Sequence, residues 1–580
     1  MTFILRLKTP AGWFCAASIL TMLFVGTAAQ LCLAQTGSAT LSGTITDKSG
    51  ALVAEASVEV MNQDTGTSIH TRTNGAGVYS VPGLKPGLYK VSVEKEGFKR
   101  VAVRDITLNV QDVVSRNFTL DVGAMSETVE VTGASLNINT SDASVSTVVD
   151  QSYVANMPLN GRSFQDLILL TPGVVTQTPQ NFQAQRGVTG EFSVNGQRAE
   201  SNYYTVDGVN ANTGAVAGLN MTTGGGASGS LPGSTALGTT QALVSVDELQ
   251  EFRVQSSTYS AEDGRNPGGQ FAFETKSGTN QWHGSAYDYV RNSFFDARDW
   301  FNDFFNVKEP PLRQNDFGGT LGGPVRIPGL YNGKDKTFFF MNYEGLRLAA
   351  PEPAAIVYVP DGALRSSAPT PLQQVLNAFP IANGPDLGNG LGEYIASWIN
   401  ADSINSTSVR FDHLIKEKNR LFFRFSNTAS VARTRQINGP GFNSPTVKDA
   451  AAYTARTYTA GATSLLTSHL SNDLRLNYTS NETTERAVLD SFGGGVPVDL
   501  SQLAGLSNQA AVTVNLFFGG FTAAPLFQDR QAGSQRAWNL VDTISLSLGR
   551  HQLKFGVDYR RSSPFFVPFC PTPRSRLHNP

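Results

Sequence analysis

The chain has 580 residues, with Lys+Arg 45 against Asp+Glu 47, a formal net charge of −2 and a pI near 6.3, so it lacks the basic excess that a nucleic-acid partner requires. Charged residues make up 16%, against roughly 25% in an average soluble protein, while 56 Gly and 28 Pro supply abundant turn chemistry. A hydrophobic fraction of 40% and a mean hydropathy of −0.16 are too polar for a helical membrane protein, and the charge is too sparse for an ordinary cytosolic enzyme; a membrane β-barrel, in which alternate residues face lipid, sits between those limits.

The N-terminus carries Arg6 and Lys8, an uncharged apolar stretch from Ala11 to Ala29, and then Leu31-Cys32-Leu33-Ala34. This is the pattern of a secretory signal peptide over residues 1–34, cleaved before Gln35. Cys15 and Cys32 fall inside the removed segment, leaving Cys570 as the one cysteine and excluding an intramolecular disulfide. No second helical span is expected downstream.

Over residues 37–122 short β-rich runs alternate with turns: Thr40–Thr46, Ser57–Met61, Val78–Val81, Tyr89–Val93 and Ile106–Val110, punctuated by Asn74-Gly75, Ala76-Gly77, Pro82-Gly83 and Pro86-Gly87. The spacing predicts a small antiparallel sandwich with Tyr79, Tyr89 and Phe98 in its core. Gly43-Thr-Ile-Thr-Asp47, Thr73-Asn-Gly-Ala-Gly-Val-Tyr79 and Leu84-Lys-Pro-Gly-Leu-Tyr-Lys-Val91 resemble the carboxypeptidase regulatory-like domain, a transthyretin-like sandwich grouped with carbohydrate-binding folds. No zinc pattern accompanies it: His70 lacks a Glu three residues on, and no HExxH occurs in the chain.

Residues 123–133 form a linker. Within it Glu127, Thr128, Val129, Glu130, Val131 and Thr132 resemble the energy-coupling box of TonB-dependent receptors, an extended segment that a periplasmic partner captures by strand addition. A last sandwich strand running on toward the next domain is the alternative reading of the same residues.

Residues 134–280 hold an ordered motif set. A helix over Ser163–Leu170 is stopped by Pro172-Gly173; then follow Phe192-Ser-Val-Asn-Gly-Gln-Arg198, Tyr204-Thr-Val-Asp-Gly-Val-Asn210, Val246-Asp-Glu-Leu-Gln-Glu-Phe-Arg-Val254 and Glu262-Asp-Gly-Arg-Asn-Pro-Gly-Gly269. The set resembles the plug of TonB-dependent outer-membrane receptors, specifically the Oar-like group in which a regulatory-like sandwich precedes the plug. The resemblance singles out Arg198, Asp207, Gly208, Asp247 and Glu251 as plug-motif residues. Taken alone, Asp207-Gly208 is a tight hairpin turn, and Glu248, Glu251 and Arg253 a solvated or ion-paired strand edge. Asn212–Thr240, rich in Gly, is expected to be a loop.

Over residues 281–563 apolar and polar residues alternate: Leu474, Leu476 and Tyr478 oppose Asp473, Arg475 and Asn477, while Leu553, Phe555, Val557 and Tyr559 oppose Lys554, Gly556, Asp558 and Arg560. Short connections at Lys416–Asn419, Thr467–Ser471 and Gly549–His551 alternate with long ones at Ala349–Ser403, Ser430–Ala450 and Glu485–Gln535, the asymmetry of periplasmic turns and external loops. About nine up-and-down strands are expected, against the 22 of the resembled transporters. The reading is therefore a mainly β chain: a transthyretin-like sandwich, an α+β plug and an incomplete antiparallel transmembrane barrel of a truncated family member. Pro-rich residues 564–580 are expected to be an irregular tail.

The resemblance implies the outer membrane of a Gram-negative-type bacterium, with the sandwich in the periplasm. Its partners would be a periplasmic TonB-like energy-coupling protein, outer-membrane lipid and an unidentified external ligand, a large solute with carbohydrate as one candidate. An Oar-like adhesion or surface-assembly role is the alternative. No enzyme, catalytic residue, cofactor or metal is expected: Gly333-Lys334 is followed by Asp335, so it is no P-loop, and the six histidines lie far apart.

Overall fold

A computed structural model of the chain describes residues 38–123, 128–132, 144–157, 159, 162, 164–176, 192–213, 231–236, 238, 240–260, 262–264, 266–416, 418–435, 444–506, 511–518 and 521–566. The signal segment, Glu127, most of the Gly-rich stretch after Asn212, and Cys570 lie outside these residues.

The first unit comprises β1 (Ala39–Asp47), β2 (Ser57–Asn62), β3 (Ser68–Arg72), β4 (Val78–Leu84), β5 (Gly87–Glu94), β6 (Arg100–Leu108), β7 (Val113–Ser115), β8 (Phe118–Leu120) and β9 (Thr128–Thr132). One sheet runs β4-β1-β7 with β8 also on β1, and the other runs β3-β2-β5-β6-β9. Alternate residues of each sheet point inward, as the two-residue period of a strand dictates. Leu41, Ile45, Val58, Val60, Val91 and Val93 meet there, with Tyr79 and Tyr89 buried among them as expected. The Tyr79 hydroxyl donates to the Arg116 carbonyl at 2.7 Å. Tyr79→Phe strands that acceptor, and calorimetry of the chain should record a loss of about 1 kcal/mol.

Three boundaries differ from the expected ones. The strand expected over Ile106–Val110 starts at Arg100 and ends at Leu108. The helix expected over Ser163–Leu170 is a single turn, Gln165–Ile168. Most telling, β9 pairs in parallel with β6, Arg100↔Thr128 to Arg104↔Thr132, so the backbone of this segment is a strand of the sandwich sheet, the alternative reading of these residues, and not a free linker.

The second unit contains β10 (Val145–Val149), β11 (Val174–Thr176), β12 (Phe192–Val194), β13 (Tyr203–Val206), β14 (Val209–Asn210), β15 (Leu249–Ser257) and β16 (Gln270–Thr275). Its five-stranded sheet runs β10-β15-β16-β13-β14 and is mixed, because β13 lies parallel to β16. Phe164, Phe192, Phe252, Phe271 and Phe273 fill its core; Tyr204 and Phe271 stack at 4.6 Å between centroids.

The third unit is one antiparallel sheet built from β17 (His283–Asn292), β18 (Arg313–Pro324), β21 (Thr337–Pro360), β22 (Leu391–Ile415), β23 (Asn419–Arg435), β24 (Val447–Leu465), β25 (Leu470–Leu489), β27 (Phe521–Leu548) and β28 (His551–Phe566), nine strands in up-and-down order. The short β26 (Val512–Phe518) folds back on β27, and β19 (Arg326–Ile327) and β20 (Tyr331–Asn332) form a hairpin between β18 and β21. Among the described residues β17 and β28 are edges and do not pair with each other. The expected tail begins later than residue 564: Pro564 pairs with Gln535 on the edge strand β28, where a missing N–H donor is tolerated. The long connections are also shorter than expected, since β21 runs on to Pro360 and β22 begins at Leu391. Pro351 and Pro353 hid this extension, and the β21–β22 register slips between Glu352 and Ala355.

The faces of this sheet are inverted relative to a water-soluble protein. Arg424 is 1% exposed while its neighbour Phe423 is 44% exposed, and Arg475 is buried between exposed Leu474 and Leu476. Water would reward the opposite arrangement, so the outer face is built for hydrocarbon and the inner for polar contents. Phe425, Tyr458, Tyr478 and Trp538 face one another across four neighbouring strands, with centroids 5.0, 6.2 and 4.7 Å apart. This aromatic row borders the apolar band and gives way to Arg456 and Glu482 beyond, as at a membrane–water interface. Strands continue well past it, and Val357, Val359, Leu376, Phe379, Leu391, Leu489 and Leu500 form a separate apolar core at that end.

Candidate functional site at the plug and barrel wall

Asp207 and Gly208 both adopt left-handed backbone, φ 51° and 74°, as the central pair of the β13–β14 hairpin demands. The turn expected from the sequence is thus present, and it does more than reverse the chain. The Asp207 carboxylate, fully buried, accepts from the Thr275 N–H (3.0 Å) and hydroxyl (2.9 Å) and from Arg410 Nη1 (2.8 Å). Arg424 Nε lies 3.7 Å away, and the Asp207 carbonyl accepts from Arg475 Nη1 at 2.8 Å. Arg410, Arg424 and Arg475 come from β22, β23 and β25, so three arginines of the wall converge on one plug turn. Glu248 pairs with Arg424, Glu274 lies 3.7 Å from Arg410, Asp412 accepts from Arg410 at 3.2 Å, and Asp473 accepts from Arg475 at 2.9 Å. Buried charge is tolerated here because every ion of the cluster lies within 4 Å of an opposite charge, and all but Glu274 share a hydrogen bond with it. Burial raises the Asp207 carboxyl, but Arg410, Arg424 and the Thr275 bonds outweigh it and hold it below the usual carboxylate range. Burial and the Asp207 charge push Glu274 up to about 7, against the opposing guanidinium groups.

A second tie uses Asp247, which accepts from Arg162 at 2.8 Å; that guanidinium also lies 4.3 Å over the Tyr287 ring of β17 and 3.9 Å from Glu344 of β21. Further bonds join Asn210 N to Asn539 (2.9 Å), Tyr203 to Asp558 (3.1 Å), Asn342 to Ser245 (2.6 Å) and Lys554 to Glu262 (2.7 Å). The second unit is therefore fastened to both flanks of the sheet, as a plug within a wall.

Glu251 is buried but turns toward the sandwich, where it accepts from the Val110 N–H; beside it Arg253 pairs with Asp112. Of the solvated or ion-paired strand edge that the sequence also allowed, Arg253 and Glu248 take the ion-paired form, with Asp112 and Arg424, and Glu251 is buried rather than solvated. Arg198 is exposed and stands outside both clusters. Of the expected plug residues, Asp207 thus meets the wall directly, Asp247 is tied to it through Arg162, Gly208 completes the hairpin turn, and Glu251 meets the sandwich. The wall arginines had not been singled out; their signal was a charge in the polar phase of an alternating strand.

Burial pushes the Glu251 carboxyl up to about 8, and the Val110 N–H only partly offsets it. Because the docked state holds the proton more tightly than a free carboxyl near 4.5, this contribution is present in acid and lost as pH climbs from about 4.5 through 8. Sandwich docking, read by cross-linking yield, should weaken over that window. Glu251→Gln should flatten the slope.

A family model described as an outer membrane beta barrel domain matches residues 274–370 and 367–571, just over half of the chain, and one for the carboxypeptidase regulatory-like domain matches 40–121. The chain belongs to the outer membrane β-barrel family and resides in the outer membrane. It is similar to the TonB-dependent transporter Oar of Myxococcus xanthus, 28% identical over 283 residues, which are 47% of this chain and 23% of that protein. The chain thus spans about a quarter of the length of this curated relative. Among solved structures, the outer membrane transporter YddB of Escherichia coli matches 73% of this chain and 48% of its own at 13% identity and a TM-score of 0.47. A point mutant of the ferric enterobactin receptor PfeA of Pseudomonas aeruginosa matches 73% of this chain and 50% of its own at 12% identity and a TM-score of 0.43.

Proposed function

We propose that the chain acts as a TonB-dependent receptor that moves a large solute across the outer membrane through a plugged barrel. The observation that carries this reading is the ionic junction at Asp207: a plug bound to its wall by hydrogen-bonded charges is held firmly yet can be released as a body when pulled. A periplasmic energy-coupling protein would capture residues 127–132 and supply that pull. The inward face carries Ser406, Ser408, Ser426, Thr428, Ser430 and Thr479, buried while the plug is seated; uncovered by its release, such hydroxyls would suit a polyhydroxylated solute, and a carbohydrate is the class to test first. An adhesion role is the second reading, for which the extensions of β21 (Thr337–Pro360) and β22 (Leu391–Ile415) beyond the aromatic row would supply the surface. Cells expressing the chain should take up a fluorescent oligosaccharide only when energised, and deletion of Glu127–Thr132 should abolish uptake. Unchanged cell attachment in that deletion, with no uptake in either strain, would favour adhesion.

A further inference from the structure

The sandwich is fixed to both other units. The Leu84-Lys85-Pro86 turn between β4 and β5 reaches the wall: Lys85 pairs with Asp412 of β22, and Arg420 of β23 donates to the Gly83 carbonyl. At the rim, Thr71 donates to the Ser468 carbonyl (3.4 Å) and Asn74 to that of Gly549 (2.8 Å), both on the short turns that face the periplasm in such barrels. Leu465 packs against the sandwich core. The other end of the sandwich grips plug strand β15, through Val110 on Glu251 and Asp112 on Arg253. Displacing the plug would leave the sandwich seated against the wall and its short turns, held by bonds that do not involve the plug.

Two features suit this seat to opening. A cavity of about 110 Å³ separates the three units at Lys85, Glu274, Asp412 and His413. Space of that size admits several waters, which can replace the polar contacts as they part. Among the described residues β9 is one edge of the sandwich sheet, paired on one side with β6. A partner that captures this strand therefore acts on the sandwich directly, and on the plug through the chain that continues to β10.

We infer that the sandwich is a second gate of the pore, on its periplasmic side and in series with the plug, latched by the contact of Lys85 with Asp412. This rests on the transport reading above. The test uses the full chain in outer membranes, with entry of a large glycopeptide antibiotic read as growth inhibition at matched protein levels. Asp207→Ala loosens the plug and Lys85→Glu opens the latch; with two gates in series, each alone should leave cells resistant and the pair should make them sensitive. Lys85→Arg combined with Asp207→Ala should restore resistance. Full sensitivity from Asp207→Ala alone would overturn the inference. So would resistance of the double variant when a chain lacking residues 38–280 makes cells sensitive. If that deletion, present in the membrane, also leaves cells resistant, the transport reading fails with it.

Discussion

Replacing Asp207 by alanine is expected to loosen the plug from the barrel wall, with a loss of ~3 kcal/mol in plug stability, the lower end for a broken buried pair, because Arg410 keeps Asp412 and Arg424 keeps Glu248 while the cluster is left one carboxylate short. Arg410 and Arg424, 2% and 1% exposed, would keep their charge with no carboxylate at the turn, and Thr275 would lose its acceptor. Alanine also sits badly at φ 51°. Asn tolerates that backbone and retains an acceptor for Thr275, so Asp207→Asn should fall between wild type and alanine. The measurement is the urea midpoint at which the plug becomes open to protease, taken in intact membranes, and unchanged midpoints in both variants would contradict the junction's role.

The second large effect separates a membrane sheet from a soluble one. Leu476 lies on the outer face of β25, 44% exposed, between Leu474 and Tyr478. On a water-exposed surface Leu→Arg changes stability by roughly 0.5 kcal/mol or less. At the midplane of a bilayer it costs ~2–4 kcal/mol, and one position inside the aromatic row, where Leu476 lies, a smaller ~1–2 kcal/mol. Leu476→Arg should therefore lower the folded fraction sharply in lipid vesicles, judged by heat-modified gel mobility. Thr484→Arg, exposed on the same strand beyond the aromatic row, should be nearly silent.

What the sequence disclosed follows from where its constraints act. Alternation was legible at Leu474–Tyr478 and Leu553–Tyr559 because lipid on one side and polar contents on the other penalise any exchange. Above the aromatic row that penalty vanishes, and β21 could carry Pro351, Pro353 and mixed polarity as far as Pro360 and still form ladder bonds to β22. The Asp207-Gly208 hairpin was legible because both residues must accept positive φ. Its partners were not, since Arg410, Arg424 and Arg475 lie 203, 217 and 268 residues away and local pattern carries no information about such pairings. The parallel seat of β9 on β6 was hidden for a related reason: an extended segment suits any edge, and only the docked sheet selects one.

The central claim is that the long sheet spans the outer membrane with its charged face turned inward onto the plug. Single cysteines placed from 472 to 478 on β25, in a chain with Cys570→Ser, test it most directly when each carries a fluorophore read against a lipid-borne quencher. Strong quenching at 474, 476 and 478, with little at 473, 475 and 477, is the predicted result. Equal quenching at all positions, or free reaction of 474 and 476 with a membrane-impermeant maleimide, would contradict it.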